Sequence, residues 1–167
     1  DQEMTVELSR IDLKQFKKVL PYLPDVEGWL GGSLHYVDSE GQMMLSADMN
    51  LDNFVYEKSP LGNWTMSGAY LPGDNNAHHV DGFITYNDQE IIYMNGVYQA
   101  DETGQENITG ELELQHFPLQ VINPFIPEKM VAFTGDIDGT LSMTGSPMKP
   151  VLNGGLQLDS VLMIMPD

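Results

Sequence analysis

The chain has 167 residues, 41% of them hydrophobic, and a formal net charge of -18 from 25 acidic against 7 basic residues. That balance excludes a phosphate-binding surface for nucleic acid and tight docking on anionic lipid headgroups, and the absence of Cys excludes disulfide scaffolds, zinc-thiolate sites and thiol nucleophiles. No run approaches the roughly 20 apolar residues of a membrane span, no basic-then-apolar leader opens the sequence, and the first residue is Asp1 rather than Met, so the chain reads as one domain or as a processed stretch of a longer repetitive protein.

In chain order, the first predicted element is a short helix over 12–20. Asp12 caps it, Leu13, Phe16 and Leu20 fall at helical spacing, and Pro21 ends it. Its outer face carries Lys14, Lys17 and Lys18, a solvated face or, as the alternative, a basic contact patch. From residue 43 the pattern has period two. Met43, Leu45, Ala47, Met49 and Leu51 take one face, and Met44, Ser46, Asp48, Asn50 and Asp52 the other. Strands follow over 63–70, 79–86 and 90–98. Ile108, Gly110, Leu112 and Leu114 then alternate with polar residues, as do Ile137, Gly139, Leu141 and Met143, and 154–165 reads as the last strand. Turn signals fall at Ser39-Glu40-Gly41, Pro60-Leu61-Gly62, Pro72 to Asn76 and Asp101 to Gly104. Each of the eleven Met residues suits an irregular core or an adaptable apolar surface.

The sequence contains itself twice. Val19-Leu20-Pro21-Tyr22-Leu23-Pro24 precedes Gly28-Trp29-Leu30-Gly31-Gly32-Ser33-Leu34. Ile122-Asn123-Pro124-Phe125-Ile126-Pro127 precedes Gly135-Asp136-Ile137-Asp138-Gly139-Thr140-Leu141. Both read as a proline-bounded apolar plug, then G-x-x-x-G-[ST]-L, and define copies over approximately 5–56 and 108–161 of one β domain spanning 1–167. Proline removes ladder donors, so the plugs are not central strands, and the strand glycines call for curvature or close backbone approach.

The tail from Gly135 through Gly139, Gly145, Pro147, Pro150 and Gly154 to Leu158 resembles the C-terminal domain of the TamB family, the translocation and assembly module proteins of the AsmA-like group. The match is dense over 117–160 and weaker over 5–56, with 57–106 unassigned by motif, and Ser146-Pro147 departs by adding a proline. The resemblance implies a folded-over sheet, or β-taco, with an apolar concave interior and at most one short helix. It implies a periplasmic segment of an inner-membrane-anchored envelope protein in a diderm bacterium. It also implies work without catalysis or cofactor, in phospholipid transport between the membranes or outer-membrane protein assembly. The partners so implied are phospholipid acyl chains or nascent outer-membrane strands, and an outer-membrane barrel of the TamA type.

The candidate groove-lining residues are Met43, Leu45, Met49, Leu51, Leu112, Leu114, Ile137, Leu141 and Met143, with Leu20, Leu23, Phe125 and Ile126 expected to fill the groove in part. No catalytic constellation competes with this reading. His78-His79 with Asp74 or Asp81 is the nearest approach to a metal site, but adjacent strand residues point oppositely, so a polar hairpin loop is expected there. Gly135 to Gly139 lacks the third acidic position and the downstream Glu of a calcium loop. The sequons at Asn63 and Asn107 read as chance, and the many carboxylate pairs, Asp136/Asp138 and Glu111/Glu113 among them, single out no glycosidase. The rival reading is an extracytoplasmic β-sandwich that binds glycan or protein through Trp29, Trp64, Tyr22, Tyr70 or Tyr93.

Overall fold

Strands with one apolar and one polar face satisfy their backbone groups most simply by pairing with their chain neighbours. The computed structural model, which describes residues 1–127 and 130–165, is built in that way. Nine antiparallel strands form one sheet in sequence order: β1 (Gln2–Asp12), β2 (Val26–Ser39), β3 (Gln42–Tyr56), β4 (Ser59–Pro72), β5 (Ala77–Tyr86), β6 (Gln89–Ala100), β7 (Glu106–Pro118), β8 (Ala132–Ser146) and β9 (Lys149–Ile164). The sheet is curved and does not close, and β1 and β9 are its free edges. Among the described residues no second sheet packs on this one, which rules out the sandwich.

The predicted helix is shorter than 12–20. A 3-10 turn, Leu13–Gln15, is capped by the Asp12 carboxylate accepting from the Lys14 N–H at 3.0 Å, and leads into α1 (Phe16–Val19). Lys14 and Lys17 pair with Glu27 and Asp25, so much of the basic face is spent on ion pairs. The strand β1 escapes the alternation reading. The expected turn at Pro60-Leu61-Gly62 lies inside β4, and the reversal comes earlier, at Glu57-Lys58. Both of those residues have positive φ (46° and 69°), as do Asn87 and Asp88 in the β5–β6 hairpin, the backbone that suits the twist of a two-residue hairpin. His78 and His79 lie within β5 rather than in a loop.

Six of the eight strand pairs carry a register shift, at Leu8/Ile11, Glu27/Trp29, Leu51/Phe54, Ile84/Thr85, Leu114/Phe117 and Thr134/Asp136. All lie toward the same end of the sheet, the end of the β3–β4 and β5–β6 hairpins. A bulge bends its strand and increases local twist, so bulges aligned across a sheet curl that end inward. The freed donors find side chains on the next strand. Asn53, at φ 52°, donates its N–H to the Asn63 Oδ1 (2.8 Å), Asn63 donates to the Asn87 Oδ1 (2.9 Å), and His116, at φ 46°, donates to the Asp138 Oδ1 (2.9 Å). Both G-x-x-x-G stretches sit on this bend: Gly28 lies against the backbone of Asp52 and Phe54, and Gly135 against Ser160 and Val161.

At the curled end the chain between β7 and β8 forms a 3-10 segment, Leu119–Phe125, here called the strap. Its Leu119 and Val121 are buried, with Leu61, Ile91 and Pro118 the other buried apolar side chains among the described residues. The Phe125 ring packs on Tyr56 of β3 with centroids 4.4 Å apart. Asn123 fixes the far side: its Nδ2 donates to the Phe133 carbonyl at 2.8 Å and its Oδ1 accepts from the Phe133 N–H at 2.7 Å. The first proline-bounded plug does nothing comparable. Val19 and Tyr22 are exposed, and Leu20 and Leu23 are half-buried beside the β1–β2 connection.

Two predictions follow from the bend and the strap. A Cβ at Gly139 (φ 158°) would lie 2.3 Å from the Gly155 carbonyl, whereas one at Gly155 meets nothing within 4 Å. In urea unfolding, Gly139→Ala is expected to lose about 1–3 kcal/mol, and Gly155→Ala to stay within about 0.5 kcal/mol of the parent. Asn123→Ala removes both bonds to Phe133. Hydrogen exchange of the strap amides should then accelerate while the β4–β5 ladder keeps its protection.

Candidate functional site

Residues directly opposite each other in an antiparallel ladder share a face, so the register assigns the concave side. One row crosses all nine strands as Leu8, Gly32, Met49, Met66, Ile84, Ile92, Leu114, Gly139 and Leu156. The next runs Val6, Leu34, Ala47, Gly68, Gly82, Met94, Leu112, Leu141 and Gly154. A third joins Met4, Tyr36, Leu45, Tyr70, Val80, Gly96, Gly110, Met143 and Leu152. None of the three rows contains a charged side chain. The opposite face has rows such as Glu7, Ser33, Asp48, Ser67, Phe83, Tyr93, Glu113, Thr140 and Gly155. It therefore carries acidic charge on the solvent side.

All nine candidate residues fall on this one apolar side. Met49, Leu114, Leu112, Leu141, Leu45 and Met143 lie in the three rows, Leu51 lies opposite Leu30 and Trp64, Met43 opposite Asp38, and Ile137 opposite Phe117 and Leu158. The face is not covered by a second layer: Leu34, Leu45, Met66, Val80, Met94 and Leu152 are all exposed. Two recesses open in it. One of about 560 Å³ lies under the strap, lined by Leu30, Met49, Leu51, Trp64, Met66, Ile84, Phe117, Val121, Ile122 and Phe125 among others. The other, of about 370 Å³, takes in Val80, Met94, Tyr98, Ile108, Leu112, Leu141, Met143 and Leu152. Met43, Leu45, Leu114 and Ile137 line neither. Phe125 walls the first recess, and Ile126 faces a third one of about 770 Å³ on the outer side of the strap; Leu20 and Leu23 enter none of the three.

Several lining residues escape a motif reading. Met66 and Ile84 show in the sequence only through the alternation of 63–70 and 79–86, and Phe117 and Val121 fall in no motif, whereas Ile122 opens the second proline-bounded plug and Trp64 is a candidate of the rival reading. The aromatic candidates divide between the faces: Trp64 and Tyr70 look into the trough, while Trp29, stacked on Arg10 at 4.9 Å, and Tyr93, opposite Phe83, look out. The two adjacent histidines divide likewise. His78 is opposite Tyr98 on the concave side, and His79 is opposite Val97 on the other.

Polar groups on the concave side gather at the end away from the strap. The His78 ring lies 5.8 Å from Tyr70 and 5.7 Å from Tyr98, and the Tyr70 hydroxyl is 2.6 Å from the His78 Nδ1. The neighbouring Glu106 carboxylate raises the Tyr98 pKa, first as an acceptor for its hydroxyl and then through burial and its charge. Among the described residues no group of three or more His, Asp or Glu is placed to hold a metal ion, and no helix is long and apolar enough to cross a membrane.

Comparison with known proteins agrees with the family of the resemblance and corrects the part of it. The family described as "TamB, N-terminal domain" matches residues 1–158, where the motif pointed to the C-terminal domain and left 57–106 unassigned. The glycine and proline spacing marks bends in a curved sheet, and such bends do not distinguish one stretch of sheet from another. No curated protein and no solved structure matches the chain. The match covers nearly the whole sequence, and the chain belongs to the TamB family.

Proposed function

We propose that this chain is a non-catalytic section of a periplasmic, inner-membrane-anchored envelope protein of a diderm bacterium, and that its concave face carries phospholipid acyl chains between the inner and outer membranes. The observation that supports this most is the set of three apolar rows running unbroken from edge to edge. A face of this kind has side chains but no free backbone donors, because the ladder consumes them. It suits an acyl chain, which asks for none, and each methylene taken from water gains about 0.8 kcal/mol. In this reading an outer-membrane barrel of the TamA type receives the cargo, and the two proline-bounded stretches each lie within one of two copies of one module, over approximately 5–56 and 108–161.

A second reading, nascent outer-membrane strands as the guest, draws on the β9 edge. That strand pairs with β8 alone and exposes Val151, Leu152, Leu156, Leu158 and Leu162, so its free backbone edge offers a polypeptide the hydrogen bonds that the concave face lacks.

Photocrosslinking in cells tests both. A photoreactive residue at Leu141, on the concave side, should capture lipid, and one at Ser142, on the other side, should not. Equal labelling at both positions, or none at either, would sink the lipid reading. Polypeptide adducts confined to positions along β9 would select the second.

A further inference from the structure

We propose that the end of the concave face away from the strap is a recognition site for a cationic ammonium group on the headgroup of a lipid, formed by Tyr70, His78, Tyr98 and Glu106. The inference rests on the reading that acyl chains occupy the trough, and adds which class of headgroup accompanies them and where it sits.

Three observations carry it. The first is polarity along the strands. In the rows where the register is regular, the carboxylates on the concave side are Asp38 and Glu106, and both belong to this end; no Lys or Arg stands on that side in those rows. An anionic headgroup would meet carboxylates here without a compensating cation, whereas an ammonium meets a favourable field. The second is the aromatic cluster. Tyr70 and Tyr98 flank the His78 ring at 5.8 and 5.7 Å, on three consecutive strands. The electron-rich faces of the Tyr70 and Tyr98 rings attract quaternary and primary ammonium groups, most strongly where water is partly excluded, and all three rings of the cluster are half-buried. The third is continuity with an apolar recess. Tyr98 is itself part of the lining of the 370 Å³ recess, beside Ile108, Val80 and Met94. A tail lying there places the attached headgroup at the ring cluster. Tyrosine, with an apolar body and a polar tip, suits such a boundary.

Isothermal titration of the 167-residue chain tests this with three amphiphiles of matched chain length, each below its micelle concentration: short-chain phosphatidylcholine, the corresponding phosphatidylglycerol, and an alkyl maltoside. Phosphatidylcholine should bind tightest, by about tenfold, equivalent to about 1.4 kcal/mol. Tyr98→Leu and Glu106→Gln should each bring it toward the maltoside value, while Tyr98→Phe, which keeps the ring face, should retain most of the preference. Maltoside affinity should be the same in Glu106→Gln as in the parent chain, since Glu106 lies outside the recess that takes the tail, which also shows that the trough has kept its fold. Equal affinity for the choline lipid and the maltoside overturns the headgroup site and leaves the acyl-chain reading standing, and a preference for phosphatidylglycerol overturns the site in the same way. If none of the three amphiphiles binds the parent chain, the acyl-chain reading falls and the headgroup site falls with it.

Discussion

The backbone ladder constrains everything else in this protein. A nine-strand meander satisfies the donors and acceptors of its internal strands by pairing each with its chain neighbour. What it cannot do is bury the apolar side of the sheet, since there is no second layer to pack on it. The sheet compensates by bending. Register shifts gathered at one end curl it, glycines such as Gly139 admit the close backbone approach that the bend requires, and Asn63, Asn87 and Asp138 accept the N–H groups that the bulges release. Among the described residues the buried apolar side chains are Leu61, Ile91, Pro118, Leu119 and Val121, all at or near the strapped end.

The strap is the local answer to an apolar surface that would otherwise stand open. It is held by two bonds to Asn123 and one aromatic contact, and it separates the apolar recess on its inner side from a more polar one on its outer side, which share Leu61 and Val121 as a common wall. An exposed apolar area of the size that remains would ordinarily drive association. The acidic charge on the opposite face, within a total of -18, opposes that by mutual repulsion between copies. Acidic solvent face and apolar concave face are the same alternation seen from two sides: Ser67 donates to Asp48 on one, while their neighbours Met66 and Met49 stand opposite each other on the other.

The sequence by itself determined the fold class and the sidedness. A side-chain period of two, once begun, commits every second residue to one face, so the nine candidates from Met43 to Met143 could be assigned to one side before any pairing was known. It also marked the bends, through the two G-x-x-x-G stretches, and the strap, through the prolines around Phe125. Local pattern did not locate β1, whose alternation of Met4, Val6 and Leu8 is short and ends at Arg10 and the Leu8/Ile11 register shift, nor the reversal at Glu57-Lys58, where the hairpin is set by left-handed backbone rather than by glycine or proline. Nor could it tell the two plugs apart. They read alike, yet one crosses the trough and the other stays at the β1–β2 connection, because only the second has Tyr56 and the Phe133 backbone within reach. The site's end-to-end polarity was likewise a matter of tertiary structure. Tyr70, His78, Tyr98 and Glu106 are spread over four strands, and antiparallel pairing, which makes distant residues direct neighbours, is what gathers them at one end.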